Sequence, residues 1–452
     1  MLQRGDDAFC QMESGVSNLE VSIICSTRSI LYISIRHLVA DIRTSYDFRG
    51  KKIGIIGGGS SAIQIVPKLQ EIEGTRLSCF VRSKTWISNR FGDFIMNKLG
   101  WDNNTLESMY SLILGPADCV TDNGIVDEHR IKEFESDDDA YLKFRKAIED
   151  DGNLVHNSSI RGSNMQEEFI KTFTETTKAR LDGKPDLIES FLPGFGLGCR
   201  RLTPGPGYLE ALTRENVDFY RTGIKYINEK GLELVDGTQI DVDVLVCATG
   251  FNTTSVPPFQ VIGKNRRTLA KRFTPFPETY LTITVDGFPN YFIMLGPNAG
   301  IGAGSLTCLI EAQGDYVIKC IRKLQKEDYT WMMPKAARVK DFSDYIGDYF
   351  KKTVYAEECQ SWYKVSGSSR ISALWPGSIL HAMEAWRSPR WEDFEYGHNE
   401  ENRLRWLGNG WSVCLMEGGG DPSHYLNPDV VDVPPVGTPE SDRKFAARPF
   451  SH

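Results

Sequence analysis

The first strongly patterned stretch of the chain is IGIIGGG, which follows the polar DFRGKK and has no polar side chain to turn toward water until its glycines. Such a run reads as a parallel strand buried on both faces. SSAIQIVPKLQEIEG comes next, with apolar residues at Ile63, Val66 and Leu69 at helical spacing, and RLSCFV supplies a second β-rich run. Strand, glycine turn, helix and strand make one βαβ unit. From about 101 to 190 the chain is charged and helical in pattern, including ESDDDA and EEFIKTFTETTKARL, and reads as a solvated helical insertion. LELV and DVDVLVCATGF then flank an Asp236–Gly237 turn, predicting a β-hairpin that feeds a central strand. YFIMLGPNAG reads as a strand with a glycine-rich end. GSLTCLIEAQGDYVIKCIRKL reads as an amphipathic helix with Leu306, Leu309, Ile310, Val317, Cys320, Ile321 and Leu324 apolar. Residues 1–45 carry no clear periodicity, and 415–452, rich in Gly, Pro and Asp, read as a loose, flexible tail.

At 452 residues the chain is long enough for two or three domains. A net charge of −8 without clustered Lys or Arg argues against a nucleic-acid partner and favours a small molecule. The ten cysteines are scattered with no CxxC pair and no histidine at metal-ligand spacing, so no metal is expected and a reducing compartment fits best. VSIICSTRSILYISI is interrupted by Arg28 and followed by Arg36, too short and too charged to span a membrane. No signal peptide is read there, and the expected location is cytoplasmic.

Chemistry enters at Gly57-Gly58-Gly59-Ser60-Ser61-Ala62, a GxGxxG/A pattern between strand and helix. Gly57 would permit the tight turn, Gly59 would let backbone approach a pyrophosphate, and Ala62 would let helix and strand pack closely. The helix N-terminus at Ser60 and Ser61 offers free N–H groups to phosphate. At the end of the second strand an acidic residue would bind a ribose 2′-hydroxyl, whereas a cation suits a 2′-phosphate; this chain has Arg82, then Lys84. The expected cofactor is therefore NADP(H).

With that loop, six ordered motifs across residues 46–400 resemble the FAD- and NADPH-dependent class B flavin monooxygenases, especially fungal Baeyer–Villiger-like enzymes of secondary metabolism. They are YDFRGKKIGIIGGGSSAIQIVP, GCRRLTPGPGYLEAL, DVLVCATGF, LGPNAGIGAG, CQSWYK and ALWPGSILH. The resemblance implies that Arg200 helps bind the 2′-phosphate. It places Arg201 as the arginine that meets the reduced nicotinamide and the peroxyflavin, where a guanidinium can stabilise negative charge and cannot deprotonate. Thr249, Gly250 and Phe251 fall where NADPH and FAD domains join; Gly296, Pro297 and Asn298 look like a segment offering N–H groups to the flavin; Trp362 resembles a tryptophan lining the nicotinamide and substrate site.

Members of that family usually begin with a first GxGxxG for FAD, and no such motif precedes Gly57 here. Residues 1–45 are thus expected to be an atypical remnant of the FAD domain, with poor FAD affinity. The expected fold is α/β: a Rossmann-like NADPH-binding domain at 46–240 carrying the helical insertion, and at 241–414 the C-terminal part of a two-dinucleotide-binding flavoprotein fold. The implied reaction inserts one oxygen of O₂ into an organic ketone, with a polyketide or terpenoid as the suggested substrate class, using FAD and NADP. Two alternatives stand beside it: N- or S-oxygenation, which does not obviously need Arg201, and a truncated, non-catalytic NADPH-binding relative.

Overall fold

Lys52–Ile56 is the middle strand of a five-stranded sheet, the place its unbroken apolar sequence calls for. From edge to edge the strands are Leu31–Ser34, Val244–Cys247, Lys52–Ile56, Arg76–Phe80 and Val217–Tyr220, all parallel. This is a computed structural model, and it describes residues 31–34, 46–88, 128–250, 255–398, 401–412, 415 and 420–426. The rest of the expected N-terminal remnant, the insertion before 128, Phe251 and most of the expected tail lie outside the described residues.

The Ser60–Gln70 helix crosses between Lys52–Ile56 and Arg76–Phe80, completing the βαβ unit, and buries Ala62, Ile63, Ile65, Val66 and Leu69. These join Ile53, Ile55, Leu77 and Val246 in one core. The α/β class is as expected. Two placements differ from the sequence reading. Leu31–Ser34, from the stretch without periodicity, pairs residue for residue with Val244–Cys247. That second strand, from beyond the division at 240, lies inside the nucleotide-type sheet.

The hairpin is confined to Gly231–Leu234 and Gln239–Asp241, with Asp236 accepting from the Thr238 N–H at 3.0 Å to shape the turn. The central strand Val244–Cys247 follows it as a separate element. The insertion is helical at Glu128–Ser136, Asp138–Leu154 and Asn164–Arg180. Asn164–Arg180 is not wholly solvated, however: Phe169 and Phe173 are buried with Trp86 and Leu197. The burial seats the chain that leads into GCRRLTP.

No strand forms over YFIMLGPNAG. Asn290, Leu295 and Asn298 take positive φ (55°, 51° and 63°), and the segment turns back on itself, with Ile293 N–H bonded to Ile283 O at 2.8 Å. The amphipathic helix forms at Leu306–Lys326, but its buried stripe only partly coincides with the one its apolar residues mark. Leu309, Gln313, Tyr316 and Cys320 face inward, while Leu306, Ile310 and Ile321 are exposed. Gln313 is the reason: its Oε1 accepts from Leu295 N–H at 2.9 Å and its Nε2 donates to Thr282 Oγ1 at 3.0 Å, so a polar side chain is satisfied inside.

The chain divides into two compact units, residues 1–321 with 331–396, and residues 322–330 with 397–452. In the second, Thr330 N–H bonds Gly397 O at 2.9 Å and Tyr329 packs on His398. Among the described residues no helix is long and apolar enough to cross a membrane.

Candidate dinucleotide site

At the end of Lys52–Ile56 the backbone must turn sharply beneath the neighbouring strand. Gly57 has φ +127°, and a Cβ there would come within 2.2 Å of the carbonyl oxygen of Ala248. A Cβ on Gly58 would meet Val81 Cγ1 at 2.6 Å, so this second glycine serves packing. A Cβ on Gly59 would meet nothing within 4 Å. Open space therefore lies against the one glycine expected to approach a pyrophosphate. Gly59 is also the N-cap of the helix, and no side chain bonds the first-turn N–H groups there. The end stays available to an anion. Ser60 is exposed with its Oγ 2.7 Å from Thr203 Oγ1, Ser61 is half-buried, and Ala62 is fully buried between helix and sheet. Thr249 and Gly250, exposed beyond Ala248, end the strand that presses on Gly57.

The cations gather at the end of the next strand. Arg82 Nη2 donates to Gln360 Oε1 at 2.7 Å, and Arg200 Nη1 donates to the carbonyl of Lys84 at 3.1 Å. Burial, and after it the charge of Arg82, hold the Arg200 guanidinium below its ordinary value, which places the two arginines within electrostatic reach of each other. Arg201 is exposed and lies near Tyr363, whose phenol burial pushes up to about 12 while the Arg201 charge pulls the other way. Trp362 is 47% exposed, its ring 4.7 Å from that of Tyr363. It is no core tryptophan.

Cys199 and Cys359, scattered by 160 residues in sequence, are joined as a disulfide with Cα atoms 6.3 Å apart. It binds the loop of Arg200 and Arg201 to the loop of Gln360 and Trp362. Cys79, Cys247, Cys308 and Cys320 are free among the described residues.

Gly296, Pro297 and Asn298 belong to another cluster. Asn298 is buried; its N–H bonds Ser372 O at 2.6 Å, and its Nδ2 donates to Ile371 O and Leu374 O, both at 3.0 Å. Ala299 N–H bonds Gly296 O at 3.0 Å and Gly300 N–H bonds Ala373 O at 2.7 Å. Of the segment expected to offer N–H groups to a flavin, Pro297 has no N–H and Asn298 spends its own on Ser372 O, while Asn298 Nδ2 and Gly300 N–H tie LGPNAGIGAG to residues 371–374. A Cβ on Gly296 would lie 2.2 Å from Thr282 O, a packing reason for that glycine.

Beside this seam, Asn153, His156, Ile301, Tyr355, Trp375 and Ile379 line a small cavity. His156 Nε2 is 3.1 Å from the Tyr349 hydroxyl, and Trp375 Nε1 donates to His381 Nδ1 at 3.0 Å, a structural partnership for His381. Sequence reasoning missed Gln360, Thr203, His156 and the cystine. Thr203, Gln360 and both half-cystines lie within the quoted motifs, but their pairings are not legible there, because each partner lies far along the chain.

No protein-family model matches the chain. It is 34% identical over 384 residues to the FAD-binding monooxygenase tazF of Aspergillus terreus, covering 84% of this chain and 64% of that protein. To the FAD-binding monooxygenase moxY of Dothistroma septosporum it is 32% identical over 372 residues, covering 82% and 55%. To a Baeyer–Villiger monooxygenase of Streptomyces coelicolor it is 28% identical over 336 residues, covering 74% and 58%. The chain spans less than two thirds of the length of these relatives. Among solved structures it resembles OTEMO in complex with FAD and NADP, with a TM-score of 0.60 at 20% identity over 85% of this chain and 74% of that one. It also resembles an oxidized steroid monooxygenase bound to NADP, with a TM-score of 0.58 at 23% identity over 78% and 68%. The likeness agrees with the two-dinucleotide-binding flavoprotein fold expected from the sequence.

Proposed function

We propose, from the premise that this chain belongs to the family of FAD-binding and Baeyer–Villiger monooxygenases, that it binds NADP(H) and takes part in inserting one oxygen of O₂ into a ketone. The observation that carries the reading is the pairing of an uncapped, open glycine turn at Gly59 with the Arg82 and Arg200 cations. A dinucleotide pyrophosphate would lie at Gly59, Ser60 and Ser61, and a 2′-phosphate at Arg82, Arg200 and Lys84. Bound NADPH supplies a hydride. The overall reaction, ketone plus O₂ plus NADPH plus a proton giving ester or lactone plus NADP⁺ plus water, balances. In it Arg201 would hold a permanent positive charge against oxygen atoms that become negative. Trp362 would offer an exposed aromatic face to nicotinamide or substrate. A polyketide or terpenoid ketone of secondary metabolism is the substrate class this reading favours.

The described residues fit NADP(H) better than FAD. Within the segment 296–298, Pro297 has no N–H and the Asn298 N–H already has a protein acceptor in Ser372 O. That same observation favours, as a second reading, an NADPH-binding protein that retains no flavin.

The test is the visible absorption spectrum of the purified chain after desalting, with and without added FAD, followed by turnover of ketones, amines and sulfides with NADPH under ¹⁸O₂. Retained flavin bands and ¹⁸O in an ester support the proposal. N- or S-oxides would move the assignment to heteroatom oxygenation, and NADP⁺ binding by a colourless protein to the second reading.

A further inference from the structure

The cystine stands directly against both phosphate-reading contacts. Cys199 precedes Arg200, which grips the Lys84 carbonyl, and Cys359 precedes Gln360, which holds Arg82. The same two loops also share a bond from Gly196 N–H to Glu357 Oε2 at 2.5 Å, so reduction would loosen the connection without releasing the loops entirely. Cys359 is the more accessible half-cystine, being half-buried where Cys199 is fully buried. Lys364 Nζ lies 3.8 Å from Cys359 Sγ, and Arg200 and Arg201 follow Cys199. The Lys364 cation beside Cys359 favours its thiolate, the form that acts as nucleophile and leaving group in thiol–disulfide exchange.

We infer that the Cys199–Cys359 disulfide positions Arg82 and Arg200 for the 2′-phosphate, so that a dithiol reductant lowers the selectivity of the chain for NADP over NAD. In that exchange a reductant thiolate attacks Sγ of Cys359, and Cys199 leaves as a thiolate. The second reductant thiol then displaces Cys359. Two electrons pass from the dithiol, which closes to its own disulfide, and the protein gains two thiols. These residues position the phosphate-binding groups and take no part in the oxygenation itself. The inference rests on the NADP(H) reading above, and its test separates the two.

The full chain is titrated with NADP⁺ and with NAD⁺ by calorimetry, first oxidised with a disulfide reagent and then reduced with a dithiol, with alkylation and mass spectrometry recording the state of Cys199 and Cys359. The expected result is a roughly tenfold loss of NADP⁺ affinity on reduction, equivalent to about 1.4 kcal/mol, with NAD⁺ affinity unchanged. A merely structural disulfide would weaken both nucleotides together. Cys359→Ser should reproduce the reduced state and no longer respond to dithiol. If that variant does not fold, the wild-type titrations decide alone. Gln360→Ala should lower selectivity in the oxidised protein. Equal selectivity in both redox states, or two cysteines that alkylate after oxidation, would overturn the inference while leaving NADP(H) binding intact. Failure of either state to bind NADP⁺ would overturn the cofactor reading itself, and this inference with it.

Discussion

The carbonyl oxygen of Ala248 occupies the space beside Gly57 so closely that a Cβ on that glycine would stand 2.2 Å from it. The contact joins the glycine turn to the strand that ends in Ala-Thr-Gly, two motifs almost 200 residues apart in the sequence. It also separates two roles within one motif. Gly57→Ala combines a left-handed backbone with a clash against main chain and should cost about 2 kcal/mol or more of stability. Gly59→Ala should leave stability within about 0.5 kcal/mol, because φ is −91° and the space is open, yet weaken NADP⁺ by about tenfold through its methyl group. Denaturant midpoints and nucleotide titration of both variants check the pair. Equal stability losses would sink the division of roles.

Arg82 and Arg200 approach from two chain segments that only the family resemblance, and no local pattern, assigns to one phosphate. Truncating either to Ala should weaken NADP⁺ by roughly 10- to 100-fold, the worth of about 1.5–3 kcal/mol for a hydrogen bond to a charged group. NAD⁺ lacks the phosphate and should bind each variant as it binds the parent. Parallel losses for both nucleotides would mean that the arginines hold the fold and do not read the phosphate.

How far the sequence reveals this site depends on the range of the contacts. The βαβ unit and its glycines are legible because each signal is local: an apolar run for a buried strand, a 3.6-residue period for a helix, and a turn that only glycine accommodates. The Arg82–Gln360 bond spans 278 residues and the cystine 160, and no periodicity encodes either. The helix at Leu306–Lys326 was legible as an element but not in its orientation, because buried Gln313 finds Leu295 and Thr282 as partners and pulls a polar position inward. The expected strand at 291–297 failed for a related reason. Its apolar residues serve a turn held by Ile283 and Gln313, and apolar character alone does not distinguish that from a ladder.

Arg201 lies exposed near Tyr363, where a charge can serve a bound substrate. Arg201→Ala should cut ketone oxygenation by about 100-fold or more while NADPH oxidation partly survives, since the cation stabilises charge that develops only during oxygen insertion. Product analysis alongside NADPH consumption measures the split. Equal ester yield from the variant would remove Arg201 from the chemistry.

Asn298 tests whether the 296–298 segment is architectural. Its buried amide satisfies the carbonyls of Ile371 and Leu374, and Asn298→Leu would leave both without that donor. The expected loss is about 2–6 kcal/mol, at about 1–3 kcal/mol for each unsatisfied buried acceptor. Urea unfolding should show a lower midpoint at unchanged slope. A loss under about 1 kcal/mol would mean the seam re-forms without the amide.

His156 gives the fold a pH dependence whose direction can be worked out. Burial first, and the neighbouring His381 second, hold its imidazole below the ordinary 6.5. The neutral ring keeps its contact with the Tyr349 hydroxyl at 3.1 Å. In the unfolded chain the same group takes up a proton near its ordinary value, so on acidification the unfolded state binds more protons than the folded one until the folded value is reached. The stability linked to His156 is therefore fully present above pH 6.5 and is lost as pH falls through the folded value. His156→Gln, which does not titrate, should flatten that part of the profile. Urea midpoints for parent and variant at pH 8, 6.5 and 5 provide the measurement, with the difference between the proteins isolating the imidazole from carboxylates common to both. A parent that gains stability relative to the variant on acidification would show that His156 is held above its ordinary value, contrary to a site where burial dominates.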